Sequence, residues 1–105
     1  AINIYDVADL TWSSVELSLS ANKGWWSQYC TVVDGSYYVW SGRTGFDGDY
    51  IADVYKLDIA TMQASKLTIS GAAAKAYGRS VSFEGISYEL GAYPQTTAVR
   101  ATDFQ

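Results

Sequence analysis

The chain repeats itself. Residues 50 positions apart match along its length, Tyr5 with Tyr55, Gly35 with Gly85, Tyr38 with Tyr88, and Trp40 with Leu90. A period of this size marks a supersecondary unit that buries its apolar surface against a neighbouring unit, so the 105 residues are expected to form two such units, not one irregular core. Around the glycines the first copy reads Cys30-Thr31-Val32-Val33-Asp34-Gly35-Ser36-Tyr37-Tyr38-Val39-Trp40-Ser41-Gly42 and the second Ser80-Val81-Ser82-Phe83-Glu84-Gly85-Ile86-Ser87-Tyr88-Glu89-Leu90-Gly91-Ala92. Both read as hairpins. Asp34-Gly35 suits a tight turn with positive φ at its central residues, and Glu84-Gly85 is a weaker form of it.

A second shared segment precedes each hairpin: Ile4-Tyr5-Asp6-Val7-Ala8-Asp9-Leu10-Thr11-Trp12, and Val54-Tyr55-Lys56-Leu57-Asp58-Ile59-Ala60-Thr61-Met62. Each is a short apolar strand, an Asp-containing turn with a Thr, and a large apolar residue opening another strand. Along the whole chain, β-rich runs between turn signals predict nine strands near 2–6, 13–18, 28–33, 37–41, 53–58, 64–69, 79–83, 86–91 and 98–102. Four Trp, nine Tyr and three Phe agree with strands. The longest helix-friendly run, Gly71 to Lys75, is too short for a helix.

The order of hairpin, long loop, strand, Asp turn and strand resembles the kelch repeat of β-propellers over nearly the whole chain. An aromatic-rich second strand ending in a small-residue pair (Ser41-Gly42, Gly91-Ala92) carries the likeness. The pairs depart from the family's Gly-Gly, and Trp12 becomes Met62 in the second copy. The resemblance implies an all-β fold of four-stranded antiparallel propeller blades, in two repeats of about 1–50 and 51–105 that start and end within a blade. Val99 to Asp103 looks like the opening of a third copy.

Two blades cannot close a ring, since propellers use typically 4–8. Completion is therefore expected from copies of the chain or from a larger parent polypeptide. A trimer giving six blades is favoured, because kelch-like rings commonly have six or seven. Strands 2–6 and 13–18 are expected to complete a blade begun by 79–83 and 86–91 of another copy. An autonomous nine-stranded sandwich or barrel that only mimics the repeat is the competing architecture.

Hydrophobic residues at 49% and charged residues at 17% exclude a disordered chain. The net charge of −4 has no basic stripe, which disfavours nucleic acid as a partner. No apolar run approaches the ~20 residues of a membrane helix, so a membrane is not an expected partner. Cys30, the one cysteine, sits among Tyr29, Thr31, Val32 and Val33 and is expected to be a small buried thiol.

In an antiparallel meander the turns alternate between two ends, and one end gathers the long loops. From the first copy these loops offer Trp25, Trp26, Arg43, Asp47, Asp49 and Tyr50 as ligand-binding residues. The second copy offers Tyr77, Arg79, Tyr93 and Gln95. Aromatic platforms beside charged and amide groups suit a peptide or a sugar ring. The plainer alternatives are that Trp25 and Trp26 pack between blades, and that Arg43 and Arg79 pair with Asp47, Asp49 or Glu84.

The chain has no histidine, which removes His-based triads, His-ligated metals and the copper-radical oxidases of kelch-like fold. Gly42-Arg43-Thr44-Gly45 is no phosphate loop. Asp47-Gly48-Asp49 with Asp53 lacks the spacing of an EF-hand and is expected to be a solvated turn. The expectation is a non-enzymatic binding or assembly module without cofactor. A lectin-like carbohydrate binder and a subunit or fragment of a propeller enzyme are the alternatives.

Overall fold

The computed structural model describes residues 1–17, 27–44, 48–72, 74–91 and 99–105, and among these there is no helix. Among the described residues nine strands form three antiparallel sheets. The first is the hairpin β1 (Ile2–Asp6) and β2 (Thr11–Val15). A four-stranded meander follows: β3 (Tyr29–Val33), β4 (Ser36–Trp40), β5 (Val54–Asp58) and β6 (Gln63–Leu67). The third sheet is β7 (Arg79–Phe83), β8 (Ile86–Leu90) and β9 (Val99–Thr102). Every strand expected from the sequence is present, with ends shifted by at most three residues.

The backbone repeats with the sequence. Asp34 and Glu84 have φ of 49° and 50°, and Gly35 and Gly85 both have 79°, so each hairpin turns through two left-handed residues. That geometry matches the right-handed twist of the flanking strands. Ser41 and Gly91 are left-handed at 57° and 66°, and Ser27 and Tyr77 at 56° and 68°, again 50 positions apart.

One correspondence differs from the sequence alignment. The Asp turns match at an offset of 52, from Asp6 to Asp58, which pairs Tyr5 with Leu57 and not with Tyr55. Asp6 Oδ1 accepts the amides of Ala8 and Asp9 at 2.9 and 3.1 Å, and Asp58 Oδ1 accepts those of Ala60 and Thr61 at 3.0 and 3.1 Å. Leu10 and Met62 then close the turns at φ of 56° and 59°. Because these residues belong to the turn, β2 and β6 begin sooner than predicted, at Thr11 and Gln63. Asp103 Oδ1 accepts the amide of Gln105 at 3.1 Å, so β9 ends in the first bond of the same device.

The four-stranded and three-stranded sheets pack face to face, with β3 against β7. Tyr29, Trp40, Val54 and Phe104 form the buried core of this seam, with Val33, Tyr38, Leu67 and Ile69 packed around it. Tyr38 and Phe104 stack with centroids 3.9 Å apart, and Trp40 meets Phe104 edge-on at 5.3 Å. Offset and edge-on ring pairs add to what area burial alone contributes.

On β7 and β8 the usual burial pattern is inverted. Side chains alternate between the faces of a strand, and a sheet with one buried face normally buries its apolar set. Here the polar set lies in the seam: Ser87 is 0% exposed and Glu89 6%. The apolar set, Val81, Phe83, Ile86 and Leu90, faces outward, with Val81 at 55% and Phe83 at 66% exposed. Cys30, expected to be buried, is exposed with Val32 on the other face of the four-stranded sheet. Its strand is apolar on both sides, and the protein covers only the Tyr29 side of that end.

Candidate functional site

The connection from β4 to β5 folds back on itself and builds the loop end of the molecule. Thr44 N donates to Asp49 O at 3.0 Å, Asp49 N to Thr44 Oγ1 at 3.1 Å, and Ile51 N to Gly42 O at 2.9 Å. Arg43 and Tyr50 form an antiparallel bridge across this ribbon. The Arg43 guanidinium donates from Nε and Nη2 to Gly48 O at 3.0 and 2.9 Å, and its Cζ lies 4.6 Å from the Tyr50 ring centroid. Nη1 donates to Tyr77 OH at 3.2 Å, tying this loop to the one that leads into β7.

The structure thus brings Arg43, Tyr50 and Tyr77 together. The planar fork of arginine suits this combination of a shared carbonyl, a phenol and a ring face. Gly48 O lies directly in the fork. Arg79 donates to Gly78 O at 3.1 Å at the exposed start of β7, and Asp49 is an exposed residue held by its backbone. Trp25, Trp26, Asp47, Tyr93 and Gln95 lie outside the described residues.

Beneath this loop end lies a buried polar cluster. Gly42 N donates to Lys75 O at 2.6 Å, and the Lys75 ammonium pairs with one carboxylate oxygen of Glu89. Trp40 Nε1 donates to the other oxygen, so both carboxylate oxygens are engaged inside the seam. Lys75 Nζ also sits 5.6 Å from the centroid of the Tyr29 ring. Tyr29 OH donates to Gly91 O at 3.0 Å. Burial, and then the Glu89 carboxylate, push the Tyr29 pKa up, against a lowering contribution from the Gly78 backbone.

Sequence reasoning missed Lys75, Glu89 and Trp40 as a unit. One signal was present: Glu89 is the sole acid inside an otherwise apolar or hydroxylic strand.

A cavity of about 50 Å³ adjoins Trp40, Lys75, Glu89 and Phe104, room for a few waters and not for a sugar ring. A wider cleft of about 370 Å³ separates β1 from the four-stranded sheet, lined chiefly by Ile2, Ile4, Val32, Tyr37, Leu57 and Met62. Its walls lack the convergent polar groups that orient a small ligand. Among the described residues no group of three acids or cysteines converges as metal ligands. The chemistry on offer at the loop end is a guanidinium, the ring of Tyr50 and the phenol of Tyr77. No family model and no curated protein matches this chain.

Proposed function

We propose that the chain is a non-enzymatic, kelch-like propeller module. In this reading its sheets are blades that stack in series, and further copies, or the rest of a larger propeller, cover the faces left open. The loop end with Arg43, Tyr50 and Tyr77 is the recognition surface for a peptide or glycan.

The observation that carries the proposal is the outward apolar face of β7 and β8. Val81, Phe83, Ile86 and Leu90 form one contiguous stripe on an open sheet, the kind of surface that marks an interaction site. Burying four such side chains contributes on the order of 1.5–3 kcal/mol each, which is ample reason for a further sheet to lie there. The absence of histidine from the chain supports a binding role over hydrolysis or redox chemistry.

Native mass spectrometry of the purified chain tests the assembly. The expected particle is a multiple of the 11.5 kDa chain, three copies for six blades. A stable monomer at micromolar concentration overturns completion by copies of the chain.

A further inference from the structure

Inside the chain, one sheet already shows how the next one seats. The side of β3 and β4 that carries Thr31 lies on the Ser80, Ser82, Ser87 and Glu89 side of the third sheet. Thr31 Oγ1 hydrogen-bonds Ser82 Oγ, and Ser80 Oγ donates to Cys30 O at 2.8 Å. Moving this contact along by one repeat turns Thr31 into Val81 and Ser82 into Val32. Both valines are exposed, at 55% and 57%. They stand on opposite outer faces of the molecule, so they can meet only between two copies.

The β1–β2 hairpin fixes the rest of the arrangement. β1, β5 and β9 are the same strand of the repeat, since Asp6, Asp58 and Asp103 each accept the amide two residues on. β1 lies over the Val32 face, with Ile2 and Ile4 lining the cleft opposite Leu57. Bringing the Val81 face of one copy onto the Val32 face of another therefore brings the second copy's β1 to the place beside β8 that β9 holds. Only one strand fits there. The residue after each Asp agrees: Phe104 is buried against Tyr38 and Trp40, Ile59 lines the cleft, and Val7, which has no sheet to lie on, is 77% exposed.

Resting on the assembly reading above, we infer that a second copy docks its Val32 face on the Val81 face of the first, and that its β1–β2 hairpin replaces β9 on β8. The occupant is a second copy because its Val32 face bears the same relation to the Val81 face, one repeat along, as the two faces of the existing seam. The contact is heterologous, the same pair of faces recurring around the particle.

The variant C30S/V32C/V81C tests the faces. Under mild oxidation it is expected to give a reducible ladder of linked chains that ends at the native copy number, while C30S/V32C and C30S/V81C give no linked species above the level of random collision. An assembled particle in which the double-cysteine variant does not link, or in which a single-cysteine variant links equally well, overturns the face pairing and leaves assembly standing. A monomeric particle overturns the earlier reading instead. Hydrogen exchange tests the strand replacement: in the assembled particle, amides of 99–102 are expected to exchange freely while those of β1 are protected. Continued protection of 99–102 there overturns it.

Discussion

Lys75 and Glu89 form an ion pair inside the seam between two sheets, with side chains only 3% and 8% exposed. Withdrawing charges from water is costly, and a buried pair holds only when its remaining lone pairs and protons are met. Trp40 meets the second carboxylate oxygen, which makes the three residues one unit.

Breaking the pair is therefore far worse than replacing it. Lys75→Met or Glu89→Gln is expected to cost about 3–5 kcal/mol, because the abandoned partner stays buried. Lys75→Met combined with Glu89→Leu is expected to recover most of that. Urea denaturation at one fixed chain concentration measures all three, and single-variant losses below ~1 kcal/mol would show that the seam opens to water.

Gly78 sits against Tyr29 at the entry to β7. A Cβ there would collide with the Gly91 carbonyl oxygen and with the hydroxyl of the buried Tyr29. Gly85, by contrast, has open space but a φ of +79°. Gly78→Ala is expected to cost about 1–3 kcal/mol through overpacking. Gly85→Ala is expected to cost about 1 kcal/mol through backbone strain alone. Thermal unfolding should rank the two in that order; the reverse order would mean that Tyr29 yields.

The braced loop gives a local prediction. Arg43→Lys keeps the charge but loses the fork that holds Gly48 O twice and the flat stack on Tyr50. Cleavage by chymotrypsin after Tyr50 is expected to speed up several-fold with little change in global stability. Unchanged cleavage would mean that the backbone bonds of Thr44 and Asp49 hold the ribbon unaided.

Three tyrosines link the fold to alkaline pH. Burial raises the pKa of Tyr37, with Cys30 beside it adding to the effect; burial and Glu89 raise Tyr29; burial and Asp53 raise Tyr55, partly offset by Lys66. A folded pKa above the unfolded value of 10 favours the fold fully below pH 10, and that contribution is lost as pH climbs toward the folded pKa. Tyrosinate absorbance is expected to show some of the nine tyrosines ionising only as the protein unfolds. Tyr37→Phe is expected to move the alkaline midpoint upward. Nine tyrosines titrating together near pH 10 in a folded protein would contradict this.

The strands and their turns were legible because their signals are local. Asp34-Gly35 announces its own turn, and Asp6 and Asp58 carry oxygens that bond the amides just ahead. The two-residue shift between offsets 50 and 52 was not legible. Tyr5 and Tyr55 look alike as letters, whereas the turn hydrogen bonds that fix the register follow Asp.

The seam was hidden for a different reason. Ser80, Ser82, Ser87 and Glu89 alternate with apolar residues, and a polar side of a strand ordinarily faces water. Lys75 comes from an alanine-rich connection with no pattern of its own. At the loop end, Arg43, Tyr50 and Tyr77 were placed by the sequence on one loop-bearing end, but the arginine's grip on Gly48 O depends on a backbone path that no side-chain pattern encodes.

The seam is lined on the β7–β8 side by small hydroxylic residues, and Ser87 Oγ is buried there with no hydrogen-bond partner among the described residues. Short side chains on one wall and aromatic rings on the other determine how closely the layers approach and how steeply they splay. In a closed circle of such layers, the splay angle dictates how many fit before the first meets the last. Exchanging Ser87 for a bulkier apolar residue would remove that hydroxyl and widen the wedge between the two sheets, and in the proposed ring the number of copies would change with it.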